Sequence, residues 1–166
     1  MIDLNKCEGW QKRDKDGVVM PWYTHPALDE IEKWDKRGFT VFEYGCGQST
    51  IWWRKYCQNV CGVESNRDWA EVVEVHFAIE KSRYIDKIFH YESGFDIVVV
   101  DGECRDECVK AGIKNIRQGG KLIIDNWAQP SVWMPTEETI SLVTQLPHTI
   151  YKQPGHPDWQ TLIATK

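Results

Sequence analysis

Short apolar runs and longer stretches of helical spacing alternate along this chain. Runs at Phe39–Glu43, Asn59–Glu64 and Lys121–Asp125 have strand length, and the four consecutive β-branched residues Ile97–Val100 mark a strand buried on both faces of a parallel sheet. Pro26 at a first turn, Leu28, Ile31 and Trp34 on one stripe, Lys36 and Arg37 behind them and Gly38 as a stop predict the first helix. A second is predicted at Ser49–Cys57. A third starts at the capping sequence Ser65-Asn66-Arg67-Asp68 and, from Trp69, Val72, Val73, His76 and Phe77, is expected to run to about Ser82 with His76 packed. A short strand is expected near Lys87–Tyr91. Asp106–Arg117 reads as a crossover helix ended by Gly119-Gly120. Thr136 caps a last helix with Ile140, Leu142, Val143 and Leu146 inward, and His148–Tyr151 and Gln160–Ala164 flank a Pro-Gly-His-Pro turn as an antiparallel pair. This rhythm predicts an α/β domain with a doubly wound, mostly parallel sheet and an antiparallel C-terminal strand pair. Residues 1–25 are expected to form an arm or cap with a hairpin tip at Asp16-Gly17, and residues 26–166 the domain.

Composition narrows the picture. At 166 residues the chain suits one domain, and 42% hydrophobic with 27% charged residues speaks for a folded core over disorder. A net charge of −5 argues against a nucleic-acid partner, which calls for a basic face. No apolar run reaches membrane-span length, and Met1–Lys6 lacks the order of a signal peptide, so the expected address is the cytoplasm and no membrane partner is expected. Cys7, Cys46, Cys57, Cys61, Cys104 and Cys108 have no zinc-knuckle spacing and are expected to be reduced, packed thiols.

The candidate chemistry centres on Glu43-Tyr44-Gly45-Cys46-Gly47-Gln48-Ser49-Thr50. An apolar strand rising to an acid, two glycines spaced by one, and hydroxyl residues opening a helix form a loop whose main chain a ligand can approach. A dinucleotide fingerprint would have glycine at Thr50, so NAD binding, and with it an oxidoreductase, is the weaker alternative. The Glu-x-Gly-x-Gly pattern resembles motif I of the class I S-adenosylmethionine (SAM)-dependent methyltransferases. Glu64, closing the next run, falls where that family places its ribose-binding acid. With the later strands the resemblance covers about three-quarters of the chain. It implies a Rossmann-like methyltransferase fold, SAM as cofactor, and a cofactor site of Glu43, Tyr44, Gly45, Gly47, Gln48, Ser49, Thr50, Glu64, Asp101 and Gly102. Glu92 and Ser93, after the expected third strand, become adenine candidates.

The acceptor must then sit at the carboxyl edge of the sheet. Asp101, Asp125 and Asn126 end adjacent strands there, and their placement resembles the magnesium triad of catechol and sugar O-methyltransferases. Cys104 stands where the catechol enzymes carry a catalytic lysine, which puts a catechol acceptor in doubt. The alternative leaves Asp101 on the cofactor and Asp125–Asn126 capping a turn. Without a metal, Asp101, His25 and His156 are the candidate bases. Nine tryptophans are present, and Trp22, Tyr23, Trp127, Trp133 and Trp159 fall in expected loops; with Asn126, the first three are candidates to bind substrate, since flat rings suit sugar C–H faces. The position after Asp101 lacks the Asn/Asp-Pro-Pro-aromatic motif of nucleic-acid amino-methyltransferases. The sequence therefore points to methyl transfer onto a hydroxyl of a small-molecule or glycan-like acceptor, with a homodimer admitted; a non-catalytic SAM-fold assembly module is the rival from another class.

Overall fold

The computed structural model describes Ile2, Lys6 and residues 9–166; Cys7 and most of the first eight residues lie outside it. In chain order the strands are β1 (Thr40–Tyr44), β2 (Asn59–Glu64), β3 (His76–Phe77), β4 (Phe95–Val100), β5 (Ile116–Ile124), β6 (His148–Gln153) and β7 (His156–Thr165). They form one seven-stranded sheet in the order β3-β2-β1-β4-β5-β7-β6. The first five pair in parallel, and β7 runs antiparallel to both β5 and β6. This is the mostly parallel, Rossmann-like architecture with an antiparallel C-terminal pair that the alternation of runs predicts.

The strand residues divide between two cores by the two-residue period of a strand. Val41, Ile97, Val99 and Ile123 face Leu28 and Ile31 of α1 (His25–Glu32) and Trp52 and Trp53 of α2 (Gln48–Tyr56). Phe42, Val98, Val100, Leu122 and Ile124 face Val109 of α5 (Arg105–Asn115) and Val143 of α6 (Glu137–Thr144). With helices on both sides, no residue of the β4 run can afford a polar side chain, which is why it reads as unbroken valine and isoleucine. Thr136 caps α6 as expected, its hydroxyl accepting from the Thr139 N–H, but Ile140 lies exposed rather than inward.

The N-terminal hairpin also forms. Arg13 bridges Val19 antiparallel, and Gly17 N–H donates to the Asp14 carbonyl at 2.9 Å. Asp14 Oδ2 then accepts from Trp52 Nε1 (3.0 Å) and the Tyr56 hydroxyl (2.6 Å), which fastens the hairpin to α2.

Three expectations fail, each for a local reason. The helix from Arg67, α3, stops at Val72, because Glu74 adopts φ +51 and the chain turns. His76 and Phe77 then pair with Val63 and Glu64 as the edge strand β3, so His76 is exposed rather than packed. The stretch expected as the third strand is α4 (Lys81–Asp86) followed by a 3-10 turn at Lys87–His90. Glu92 and Ser93 consequently precede β4 at the amino end of the sheet, the edge away from the glycine loop. Gly119 and Gly120 lie inside β5 instead of ending a helix: a Cβ on Gly120 would stand 2.9 Å from the Asp96 carbonyl oxygen, beside the register shift between β4 and β5.

Candidate active site

The glycine loop leaves β1 at Gly45, whose φ of +85 a side chain would resist; a Cβ there would stand 2.6 Å from the Gly102 nitrogen. That contact, together with the 2.8 Å hydrogen bond from Asp101 N–H to the Tyr44 carbonyl, holds the loop after β1 against the loop after β4. Gly47 opens α2, its N–H donating to Thr50 Oγ1 at 3.0 Å. Glu64, at the end of β2, accepts from Cys46 N–H on one oxygen (2.8 Å) and from Asn66 N–H on the other (2.6 Å). Two backbone donors thus keep the carboxylate at the rim of the glycine loop.

These elements enclose a cleft of about 640 Å³ at the carboxyl edge. Of the sequence-derived candidates, Gly45, Gly47, Gln48, Ser49, Glu64, Asp101, Gly102 and Trp22 line it. Glu43 and Thr50 do not reach the surface of the cleft. Both are fully buried beneath the loop, and neither Glu43 oxygen has a hydrogen-bond partner. Burial pushes the Glu43 pKa to about 7, with the nearby Thr50 and Ser49 hydroxyls pulling it down and the Asp101 charge adding to the rise.

Other candidates are displaced from the cleft, for reasons of packing. Tyr44 turns its ring into the core and donates its hydroxyl to the Ile85 carbonyl at 2.7 Å. Tyr23 is fully buried, accepting from Trp53 Nε1 at 3.3 Å, and burial raises its pKa well above the ordinary phenol range. Trp127 is buried edge-on to Trp133, with ring centroids 5.7 Å apart. His25 opens α1 away from the cleft, and its Nε2 lies 2.7 Å from the Trp10 carbonyl; it is not placed to act as a base. His156 is exposed, its ring tilted against Trp159 with centroids 5.3 Å apart.

The carboxyl-edge oxygens are not arranged as a metal triad. Asp125 turns one oxygen to the Thr161 hydroxyl at 2.6 Å, and burial followed by the Asp101 charge pushes its pKa up. Arg105 occupies the space between the others. Its Nη2 donates to Asp101 Oδ1 (3.2 Å) and Asn126 Oδ1 (3.3 Å), its Nε to the Gly102 carbonyl (3.0 Å) and its Nη1 to the Asp125 carbonyl. Among the described residues no group of histidine, cysteine and acidic side chains forms a metal site, so the magnesium expectation is not met. Asn126, at φ +50, spends its side chain on Arg105 and Gln129 and does not line the cleft. Asp101 does, half-buried, with a pKa pushed to about 6 by burial, while Arg105 pulls it down.

Arg105 and Trp69 stand out among the cleft-lining residues that sequence reasoning did not single out, with Cys46, Ser65, Glu103 and Val132 beside them. Trp69 sits on the apolar stripe of α3, yet its ring lines the cleft and lies 3.6 Å from where a Cβ of Gly47 would be. The described cysteines are free, with Cys46 and Cys108 buried, and no helix among the described residues is long and apolar enough to cross a membrane.

No protein-family model and no curated protein sequence matches the chain. Solved structures do. The O-methyltransferase TomG from Streptomyces achromogenes, in complex with SAM, is similar at 16% identity and a TM-score of 0.61 over 84% of this chain and 77% of that one. Fibrillarin from Aeropyrum pernix, with natively bound SAM, is similar at 17% identity and a TM-score of 0.61 over 96% and 84%. An rRNA methylase from Streptococcus thermophilus is similar at 10% identity and a TM-score of 0.59 over 86% and 95%. The sheet order, the glycine loop and these likenesses together give the chain the class I fold of the SAM-dependent methyltransferases.

Proposed function

We propose that the chain takes a methyl group from SAM and places it on a hydroxyl of a small or glycan-like acceptor. The observation that carries the reading is the convergence of the Gly45–Gly47 loop, the Glu64 carboxylate and Asp101 on one cleft at the carboxyl edge of the sheet. When bound, SAM supplies an electrophilic methyl group on a sulfonium. Gly45, Gly47, Gln48 and Ser49 would hold its methionine end, with Thr50 fixing the loop and Glu43 as a buried acid below it. Glu64 keeps lone pairs beyond its two backbone N–H bonds and would accept from the ribose hydroxyls. Trp69 gives an apolar wall.

On the acceptor side, in-line displacement needs positioning and a place for the hydroxyl proton. Asp101, exposed to the cleft and with its pKa near 6, is ionised at neutral pH and is the candidate to orient the hydroxyl and accept its proton. Trp22 presents an exposed ring at the cleft mouth, held edge-on by Trp10 at 5.6 Å, which suits a sugar C–H face. The similar folds include rRNA, N- and O-methyltransferases, so the fold leaves the acceptor open. The hydroxyl assignment is supported by Asp101 and Trp22, and the net charge of −5 weighs against an RNA acceptor. Calorimetry with SAM and with its demethylated product tests the donor half: saturable binding of both is expected, and no binding of either sinks the proposal.

A further inference from the structure

The carboxyl edge resembles a metal-dependent acceptor site in its residues but not in its construction. Arg105 is almost fully buried, and its guanidinium donates to five oxygens: the carbonyls of Asp101, Gly102 and Asp125, Asp101 Oδ1 and Asn126 Oδ1. Carboxylate, amide and backbone oxygens converging on one point are the donor set a hard divalent cation takes. Here one planar cation already holds all five, joining the ends of β4 and β5 while one side of it forms part of the cleft wall. The origin of the arrangement is local: Arg105 is the first residue of α5, four positions after Asp101, and Cys104 before it adopts φ +51, turning the chain so that the arginine folds back over the strand end.

We infer that Arg105 is the resident cation of the acceptor site, a positioning residue that holds the Asp101 carboxylate toward the cleft and excludes a divalent ion from the oxygens such an ion would use. For the acceptor's location the inference rests on the methyl-transfer reading, but its content concerns ion binding and the state of Asp101, both measurable without SAM. A lysine could supply charge at this point but not the fork of donors that spans both strand ends. A divalent ion could not enter without displacing a guanidinium bound on three of its nitrogens.

The test uses the full chain and terbium luminescence sensitised by the tryptophans of the cleft, with calcium as competitor. Wild-type protein is expected to show no saturable terbium signal up to about 1 mM. Arg105→Ala is expected to gain one calcium-displaceable site, lost again in Arg105→Ala with Asp101→Asn. A wild-type site that Asp101→Asn abolishes would overturn the inference, as would a folded Arg105→Ala protein that binds no ion. Because truncating a buried guanidinium to alanine endangers the fold, a second arm uses Arg105→Gln, which keeps a polar side chain of similar reach but no charge, with carbon-13 detection of aspartate carboxylates. Asp101 is faced by Arg105, Glu43, Glu64, Asp125 and Tyr23, and only Arg105 draws its titration down. Its midpoint is expected to move up by about one unit or more in Arg105→Gln, which removes both the charge and the fork of donors; an unmoved midpoint means that Arg105 is structural only and overturns the proposal. Failure of SAM to bind would leave both readouts unchanged, so the two readings fall separately.

Discussion

The two halves of the cleft are built by different means. In the donor half, backbone N–H groups of the glycine loop donate to the Glu64 carboxylate and the Thr50 hydroxyl, joining segments whose roles follow from local spacing: a left-handed glycine, a helix start, an acid closing the neighbouring strand. In the acceptor half, Asp101, Asp125, Asn126 and Arg105 are joined side chain to side chain and side chain to carbonyl, with Thr161 of the antiparallel β7 reaching in from 36 residues away. Main-chain geometry recurs wherever the same residue types recur at the same spacing. Side-chain networks depend on which residue the fold brings alongside, and here an arginine stands where an ion was expected.

Glu64→Ala should have the largest effect on the comparison. It removes charge-assisted hydrogen bonds to two backbone N–H groups as well as the ribose acceptor, each worth about 1.5–3 kcal/mol. SAM binding by calorimetry should weaken by about a hundredfold or more while Asp101 and Arg105 stay paired; unchanged affinity would remove the donor half as drawn.

Glu43 gives the next effect, through pH. Its pKa is raised from 4.5 to about 7 by burial, so the folded protein holds a proton that the unfolded chain has released. The associated stability is fully present below about pH 4.5 and is lost as pH rises through about 7, a span worth about 3 kcal/mol. Glu43→Gln should remove that slope: urea unfolding should find it close to wild type at acid pH and more stable above neutrality. Parallel curves at all pH values would mean that the carboxyl is solvated after all. Thr161→Val probes the other half with a smaller effect. It deprives the Asp125 oxygen of its 2.6 Å donor and the Thr24 N–H of its acceptor, for a loss of about 2 kcal/mol in urea midpoints. A loss of SAM binding in the same variant would show that the halves are not separable.

What could be read from the sequence follows the same division. β1, β2 and β4, the cap at Thr136 and the β6–β7 pair were legible because apolar period and capping chemistry are local. β3 was not, since two residues on a sheet edge are held by the ladder to Val63 and Glu64 while their spacing continues the apolar stripe of α3. Tyr23 and Trp127 were expected at the surface because loops are usually wet, yet both seal the sheet ends. The same composition that suggested flat binding rings thus served packing at most of these positions, leaving Trp22 as the exposed one at the cleft. Arg105 carried no signal of its own: a basic residue at a helix start runs against the helix dipole and has no recognisable role until its five acceptors are in place.

Trp22→Ala is the smallest change and the one that separates the halves most sharply. The ring is 53% exposed and its fixed contact is edge-on with Trp10, so removing it creates no cavity in either core and should move stability by no more than about 0.5 kcal/mol. The glycine loop and Glu64 take no hydrogen bond from it, so SAM affinity should be unchanged within error. Binding of a sugar acceptor, followed by ligand-detected NMR in the presence of the demethylated cofactor, should weaken by about tenfold, the scale of one stacked ring face. If SAM affinity falls instead and sugar binding persists, Trp22 belongs to the donor half, and the boundary drawn at Asp101 is in the wrong place.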